Sequence, residues 1–451
     1  ILKTGSEKLW FRKTLVFSIT FLFITVGTTS SIPLTVSGYT GGNTLYVGGS
    51  GPDNYTRIQD AIDDANDGDT IFVYNGTYYE HHIIIDKKIY LLGENKNSTI
   101  INVVGKHQGV QIFCDDVIVK GFTIRNNSYA FDWWCNSLLE VNKSKNVVVE
   151  NNVFVSDYKD PNRENHVCGI CLLGSENCVL RNNTFYGCSL LIYYFDYNYS
   201  KNENAKVEYF IHDIDSSNLI NGKPLYYYKN CENVIVPSDA GEIIFVNTSY
   251  SEIPKFENND TAVNIQLICS DNNLIQNAKI SDSLSGLWLH YSNHNIFMNI
   301  TADGTSCSLF LWHSNYNIFQ NNILPAVTVE QYSDSNVFMK NLFKSSRTYN
   351  FSIQLESSDY NVFKCNNIYG VNIVKAILLR AMKVKNVTVI KLYNSHHTIW
   401  DKNYWGDYTG FKNVPKPIVG LHRAIYVPFN YFNFPSYLNF DWHPVNEPYD
   451  I

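Results

Sequence analysis

The chain has 451 residues, a net charge of −7 and 17% charged residues. It contains no sustained run of lysine and arginine, which argues against nucleic-acid binding because phosphate recognition needs clustered positive charge. The 32 tyrosines and 26 phenylalanines favour β structure. The 55 asparagines indicate many sharp turns, because asparagine tolerates left-handed backbone angles.

Residues 1–37 have the order of an export signal. Basic Lys8, Arg12 and Lys13 precede the apolar run Leu15–Val26, and small polar residues follow. The apolar run is short for a complete membrane span. We therefore expect a protein that is secreted or lies at the cell surface. A buried helix and a retained anchor are the alternatives, and membrane contact is expected only through this segment if it is not cleaved.

Residues 38–107 are predicted to form an N-terminal cap and the first coils of a solenoid. Apolar residues recur there at helical spacing, at Ile58, Ala61, Ile62 and Ala65. Thr56 and Gln59 have the spacing of a capping box. Alternating apolar strands follow this helix. Such a helix would cover the open end of the first coil.

Residues 108–394 carry a repeated frame of serine, two or three residues, an apolar pair and asparagine. The frame serines are Ser144, Ser175, Ser270, Ser292, Ser314, Ser333 and Ser358. The last five are 22, 22, 19 and 25 residues apart, which suits one coil of a β-solenoid. The frame is interrupted by an irregular insertion at about 191–262. Residues 395–451, rich in aromatic residues and proline, are predicted to form a C-terminal cap.

Three segments together with the repeats resemble NosD-type right-handed parallel β-helix proteins of archaeal and bacterial cell surfaces. The segments are IQDAIDDANDGDTIFVYNGTYYE, NGKPLYYYKN and NYWGDYTG, and the resemblance spans most of residues 45–410. It implies an all-β, single-stranded right-handed parallel β-helix with an N-terminal amphipathic helix cap. It also implies a copper-delivery role for the namesake, although no metal-ligand motif is matched here. The same fold builds pectate lyases, polygalacturonases and structural modules.

Alignment on the frame serine predicts which side chains point outward from the solenoid. Positions five and three before the serine are almost all aliphatic and are predicted to face inward, including Thr328 and Glu330 in the coil of Ser333. Positions four and two before the serine are predicted to face outward. Four residues in two adjacent coils then form one outer aromatic patch, our predicted ligand-binding site: Trp288, His290, Phe310 and Trp312.

Such a patch favours a polysaccharide or a surface protein as partner. The alternative is that the insertion or the C-terminal tail folds over it. We expect a non-enzymatic structural or adhesive module with no cofactor and no catalytic residue. A carbohydrate-active lyase or hydrolase is the second hypothesis, and NosD-like copper handling is the third.

Three residue groups represent the alternative chemistries. A hydrolase needs two carboxylates, for which Asp115, Asp116 and Asp132 are available, although the first two are predicted to lie in a turn. Imidazole and thioether groups are ligands that suit copper, and the sequence offers them at His290, His294, His313 and Met298. We nevertheless predict no metal site. Cys168 and Cys171 form a CxxC pair, which we interpret as small apolar side chains stacked in successive coils rather than a redox or metal pair.

Overall fold

The computed structural model describes residues 42–450 except 105–107, 127–135, 157–167, 195–205, 304, 306, 345–350, 370, 373–388, 407–415, 428–429 and 446. The predicted export segment 1–37 therefore lies outside the described residues. No helix among those described is long and apolar enough to cross a membrane.

The described residues form one α-helix, a short 3-10 helix (Val207–Phe210) and forty strands. The first half contains β1 (Thr44–Val47), α1 (Ile58–Asp64), β2 (Thr70–Val73), β3 (Gly76–Tyr79), β4 (Ile83–Ile85), β5 (Tyr90–Gly93), β6 (Thr99–Asn102), β7 (Val110–Ile112), β8 (Ile118–Lys120), β9 (Thr123–Arg125), β10 (Ser137–Asn142), β11 (Val148–Glu150), β12 (Val153–Val155), β13 (Cys168–Leu173), β14 (Val179–Arg181), β15 (Thr184–Tyr186), β16 (Ser189–Tyr193), β17 (Asp213–Ile214) and β18 (Leu219–Ile220).

The second half contains β19 (Lys223–Lys229), β20 (Glu242–Val246), β21 (Glu252–Ile253), β22 (Phe256–Ile268), β23 (Leu274–Gln276), β24 (Ala278–His290), β25 (Ile296–Met298), β26 (Thr301–Asp303), β27 (Cys307–Trp312), β28 (Ile318–Gln320), β29 (Val327–Glu330), β30 (Val337–Met339), β31 (Leu342–Lys344), β32 (Phe351–Glu356), β33 (Val362–Lys364), β34 (Asn367–Tyr369), β35 (Val371–Asn372), β36 (Val389–Tyr393), β37 (Ile399–Asp401), β38 (Tyr404–Trp405), β39 (Lys416–Val427) and β40 (Asn430–Asp441).

The strands form a right-handed parallel β-helix, as predicted, in two stretches. In the first stretch, sheet A joins β1, β2, β5, β8, β11, β14 and β17, and sheet B joins β4, β7, β10, β13 and β16. Sheet C joins β3, β6, β9, β12, β15 and β18. Each coil between the first and the last contributes one strand to each sheet, and each strand pairs in parallel with its counterpart in the next coil.

The second stretch repeats this arrangement. Sheet D joins β19, β20, β22, β24, β27, β29, β32, β36 and β39. Sheet E joins β21, β23, β25, β28, β30, β33, β37 and β40. Sheet F is built from the first halves of β22 and β24, with β26, and from β31, β34 and β38. The long strands β39 and β40 pair with each other in antiparallel register.

An antiparallel hairpin separates the two stretches. Asn221 and Gly222 connect β18 to β19, with φ of 49° and 82°. Positive φ at both turn residues is the geometry of a type I′ turn, which Asn-Gly adopts readily. This hairpin, where one coil series ends and the next begins, falls inside the predicted insertion at about 191–262, of which residues 195–205 lie outside the described residues. The hydrophobic core has a large cluster in each stretch and a third cluster between them, and Ile244, Val246 and Ile268 of the second stretch belong to the first cluster.

The frame serines and asparagines form internal ladders. The main-chain N–H of Ser292 donates to Ser314 Oγ at 3.1 Å, and the N–H of Asn295 donates to Asn317 Oδ1 at 2.9 Å. These four side chains are completely buried. Asparagine has both a carbonyl and an NH₂ group, so one buried residue satisfies the corner main chain of its own coil and of its neighbour. Other asparagines, such as Asn299 with φ of 56°, occupy left-handed corners as predicted.

Helix α1 is present where the sequence predicts it, but the capping box is wrong. Its first residue is Ile58 and its N-cap is Arg57, which makes no side-chain capping bond. Instead, the buried carboxylate of Glu80 accepts hydrogen bonds from the main-chain N–H groups of Ile58 (2.7 Å) and Gln59 (3.1 Å). A carboxylate supplied by a neighbouring coil therefore satisfies the first turn. Covering of the solenoid end by this helix stays a prediction.

The predicted facing of strand β29 is also wrong by one residue. Val327 and Val329 point into the core, while Thr328 and Glu330 pair in register with the outward residues Phe310 and Trp312. The cause is one extra residue before Ser333, since Gln331 and Tyr332 both have positive φ. The extra residue shifts the strand by one position relative to the frame serine, and a one-residue shift exchanges the two faces.

Candidate functional site

The four predicted site residues leave the outer face of sheet D as one contiguous patch. β24 and β27 are in register, with Trp288 beside Phe310 and His290 beside Trp312. The ring centroids of Trp288 and Phe310 are 4.6 Å apart, and those of Phe310 and Trp312 are 6.1 Å apart. The alternation of the strands, read from the sequence, predicts this juxtaposition.

The patch is not open to solvent. Trp288, His290, Phe310 and Trp312 are 6%, 1%, 4% and 8% exposed. Side chains of the first stretch pack against them, including Cys171, Leu191 and Tyr193 of sheet B. The rings of Tyr193 and Trp288 meet edge to face at 5.8 Å, and Phe210 contacts His290 in the same way at 5.6 Å. The alternative in which the insertion covers the patch is therefore the one that the structure shows, with sheet B adding to the cover.

The covered patch is continuous with a polar junction at the edge of sheet B. Strand β16 is the last strand of that sheet, and side chains from the second stretch satisfy its main chain. Glu242 accepts from the N–H of Leu190 at 3.1 Å, and Gln266 accepts from the N–H of Ile192 at 3.2 Å. Ser189 Oγ both donates to the Val263 carbonyl and accepts from its N–H, each at 3.0 Å.

His290 is the unusual member of the patch. Both of its ring nitrogens are buried without a hydrogen-bond partner, as is Nε1 of Trp288. Burial lowers the pKa of His290 to about 3, with a smaller contribution from nearby His313. The imidazole is therefore held neutral inside an aromatic contact, which suits a structural role and not a proton-transfer role at neutral pH.

Among the residues that the structure describes, the alternative chemical groups do not assemble into a site. Asp115 accepts from the N–H of Lys145 and Asp116 pairs with Lys88 at 3.0 Å, so both stabilise turns; Asp132 lies outside the described residues. His294 and His313 stack on the tyrosine rings of neighbouring coils. No three His, Cys, Asp or Glu side chains in the described part of the chain converge to hold a metal ion.

Cys168 and Cys171 lie in the same strand, β13, and their neighbours in the adjacent coils are serine, glutamate and leucine, so the predicted stacking of cysteines in successive coils is wrong. Cys168 and Cys171 are buried in the contact between the two stretches. Their small side chains pack against Leu191 and Tyr193.

A second aromatic surface, missed by the sequence reasoning, is exposed at the corner between sheets D and E. We call this surface the corner ridge, and it consists of two columns. One column lies two residues after the frame serine or its equivalent and contains Tyr250, His294, Tyr316, Tyr360 and His397. The other lies one residue before the serine and contains Tyr291, His313 and Tyr332. Tyr250, Tyr316 and Tyr360 are 61%, 56% and 55% exposed. The first column could have been found by extending the alignment past the frame serine.

Stacking holds the rings of the corner ridge in parallel planes. The rings of His294 and Tyr316 are 5.1 Å apart at 15°, and those of Tyr360 and His397 are 4.9 Å apart at 11°. Tyr316 and Tyr360 both have φ of 57°, so the left-handed corner projects each ring away from the coil. The spacing follows the distance between coils, since adjacent parallel strands lie about 4.8 Å apart.

A polar ladder runs between the two columns of the ridge. Asn293 accepts from the N–H of Asn315 at 2.8 Å, and Asp334 accepts from the N–H of Asp359 at 2.6 Å. These side chains are half-buried and fix the corner main chain of successive coils. The result is a surface of aromatic rings, interrupted at Asn272 and Ser335, with polar groups beside them.

The fold and these surfaces define a right-handed parallel β-helix protein. No protein-family model matches the chain, and no curated protein matches its sequence. Among solved structures, a lacto-N-biosidase from Eubacterium ramulus is 12% identical with a TM-score of 0.33, covering 79% of this chain and 66% of its own.

Two further structures have the same kind of similarity. An alginate lyase in complex with a trisaccharide is 9% identical with a TM-score of 0.31, covering 80% of this chain and 85% of its own. A surface adhesin of Streptococcus pneumoniae is 16% identical with a TM-score of 0.26, covering 77% and 85%.

Proposed function

We propose that this chain is an exported, NosD-type cell-surface module that binds glycan without cleaving it, through the corner ridge. The supporting observation is the exposure of Tyr250, Tyr316 and Tyr360 on one rigid edge. Tyr316 and Tyr360 each stack one ring face on a histidine of a neighbouring coil, so the other face is the one that suits the C–H groups of a sugar ring. An exposed aromatic surface is typical of a partner site. The covered patch of Trp288 and Trp312 has no place in this proposal, since no sugar reaches it.

The order of the ridge favours an extended ligand over a compact one. A polymer lying parallel to the solenoid axis meets pairs of aromatic residues separated by a polar one, because the column reads Tyr250, Asn272, His294, Tyr316, Ser335, Tyr360 and His397. Asn293, Asn315 and Asp334 lie beside them as hydrogen-bond partners for hydroxyl groups. Because stacking and the corner backbone already fix the rings, little side-chain entropy is lost on binding.

Affinity electrophoresis through gels containing soluble neutral and acidic polysaccharides tests the proposal. We expect retardation of the native protein by at least one polysaccharide, and loss of that retardation in the double variant Tyr316→Ala and Tyr360→Ala. The matched control is Tyr186→Ala, an exposed tyrosine of the first stretch outside the ridge. Unchanged retardation of the double variant would refute the ridge, and release of reducing ends or unsaturated products would replace the proposal with the enzyme hypothesis.

A further inference from the structure

An open groove of about 380 Å³ lies on the outer face of sheet F and belongs to neither aromatic surface. The polar residues that line it are Lys223, Glu257, Asn259, Lys279, Ser281 and Thr301, together with the buried Asn258. Glu257, Lys279 and Thr301 lie in register on β22, β24 and β26, and therefore form one outward column. Asn259 and Ser281 form the next column.

The hairpin between the two stretches supplies the remaining cation. Lys223 follows the Asn221–Gly222 turn and donates from Nζ to the main-chain carbonyl of Glu257. Asn221 Nδ2 donates to the main-chain carbonyls of Asn259 (2.9 Å) and Asp260 (3.0 Å). These bonds fix the hairpin against the edge of the groove, so the ammonium group of Lys223 is held there by the fold.

The positive charges of the groove are not cancelled by ion pairs. Lys223 bonds a carbonyl and not a carboxylate, and no described side chain forms an ion pair with Lys279 or Glu257. The charged residues that line the groove are two lysines and one glutamate, in a chain whose net charge is −7. Amide and hydroxyl groups of Asn259, Ser281 and Thr301 complete the lining.

We propose that this groove binds the carboxylate or sulfate group of a hydroxylated ligand, with Lys279 and Lys223 as the charged partners. Asn259, Ser281 and Thr301 then hydrogen-bond the neighbouring hydroxyl groups, because amides and hydroxyls both donate and accept. Glu257 opposes the anion and limits its affinity. An acidic sugar within a polymer and a free small anion share this chemistry. The inference uses no residue of the corner ridge and is independent of it.

Titration calorimetry with three probes tests the site: a uronic acid trimer, its carboxyl-reduced neutral analogue and sodium sulfate. We expect Lys279→Gln and Lys223→Gln each to weaken trimer binding about tenfold or more, the effect of losing one hydrogen bond to a charged group. Glu257→Gln should tighten binding, since it removes a like charge. The matched control is Lys340→Gln, an exposed lysine outside the groove, and it should leave binding unchanged.

The outcomes separate the ligand sources. Binding of the trimer without sulfate supports an acidic sugar, while competition by sulfate for the same lysines supports a free anion. Equal affinity for the neutral analogue, no binding of either anion, or an unchanged Lys279→Gln variant would overturn the proposal. The opposite directions expected for Lys279→Gln and Glu257→Gln keep the test valid if one variant is unstable. If the double variant Tyr316→Ala and Tyr360→Ala still binds the trimer, the groove binds its ligand independently of the corner ridge.

Discussion

The side-chain amide of Gln266 donates a 2.8 Å hydrogen bond to the carboxylate of Glu242, and another of 2.8 Å to the main-chain carbonyl of Leu190. Both side chains are completely buried and both reach across from the second stretch to the edge of β16. An unpaired strand edge is a template for further strand addition. Here two side chains take the place of a next strand, so the first coil series ends inside the protein.

The first prediction concerns this junction. Gln266→Leu leaves the Leu190 carbonyl, the Ile192 N–H and the Glu242 carboxyl without one partner each. Because buried polar groups without partners cost about 1–3 kcal/mol apiece, we expect the free energy of unfolding to fall by at least about 2 kcal/mol. Urea denaturation measures the change. Gln320→Leu, on the half-buried outer face of sheet E, is the control and should change the free energy of unfolding by less than about 0.5 kcal/mol. Equal urea midpoints for the two variants would contradict the role of Gln266 at the junction.

The second prediction concerns the asparagine ladder. Asn317 donates from Nδ2 to the Ser292 carbonyl and to Asn336 Oδ1, each at 3.0 Å, and it accepts from Asn295. We expect Asn317→Ala to lower the free energy of unfolding by about 2 kcal/mol or more, since it leaves buried main-chain groups unsatisfied. Asn299→Gly keeps a left-handed corner and should be nearly neutral in the same denaturation experiment. A near-neutral Asn317→Ala would show that the ladder is dispensable.

The third prediction concerns the pH dependence of stability. The pKa of His290 falls to about 3 on burial, and so does that of His212, where burial is again the main cause. Both folded-state pKa values lie below the ordinary value of about 6.5, so the stability contribution is complete above pH 6.5 and is lost as the pH falls below it. At pH 5 each histidine should cost about 2 kcal/mol relative to pH 7.

His290→Phe isolates the contribution of one histidine. It removes two buried nitrogens that have no partner, and we expect the stability loss between pH 7 and pH 5 to shrink by about 2 kcal/mol. Urea denaturation at the two pH values measures this difference. His294→Phe, at the exposed ridge, is the matched control. An identical pH dependence in native protein and His290→Phe would mean that the junction admits the charged imidazole.

The fourth prediction concerns the thiols. Burial raises the pKa of Cys178 to about 12 and places that of Cys188 still further above its ordinary range. Thiolates are the reactive form, so we expect neither residue to be alkylated by iodoacetamide at pH 8 in the native protein. Peptide mapping after alkylation should find both modified only in urea. Half-buried Cys231 provides the internal comparison. If Cys188 is alkylated in the native protein before Cys231, the hydrophobic core of the first stretch is accessible to the reagent.

The sequence predicts local features of the coil well. The frame serine and asparagine are fixed by hydrogen bonds between adjacent coils, so their spacing reports the coil itself. The strand period of two places Trp288 and Phe310 on the outer face, as the structure confirms. The prediction fails at β29, where one extra residue before Ser333 exchanges the faces. Such an insertion shifts the strand by one residue but leaves the repeated serine and asparagine motif unchanged, so an alignment on that motif does not detect it.

What the sequence by itself determined is the parallel β-helix, its coil length and the facing of most strand residues, because these follow from hydrogen bonds and apolar contacts between neighbouring coils. Only the tertiary structure decided which outer faces remain outer. The hairpin at Asn221 and Gly222 reverses the chain and brings sheet D against the first stretch. That contact joins residues about 74 positions apart, as between Gln266 and Ile192, and no repeat spacing encodes it. The aromatic patch is buried for this reason, while the corner ridge and the groove on the outer face of sheet F stay accessible.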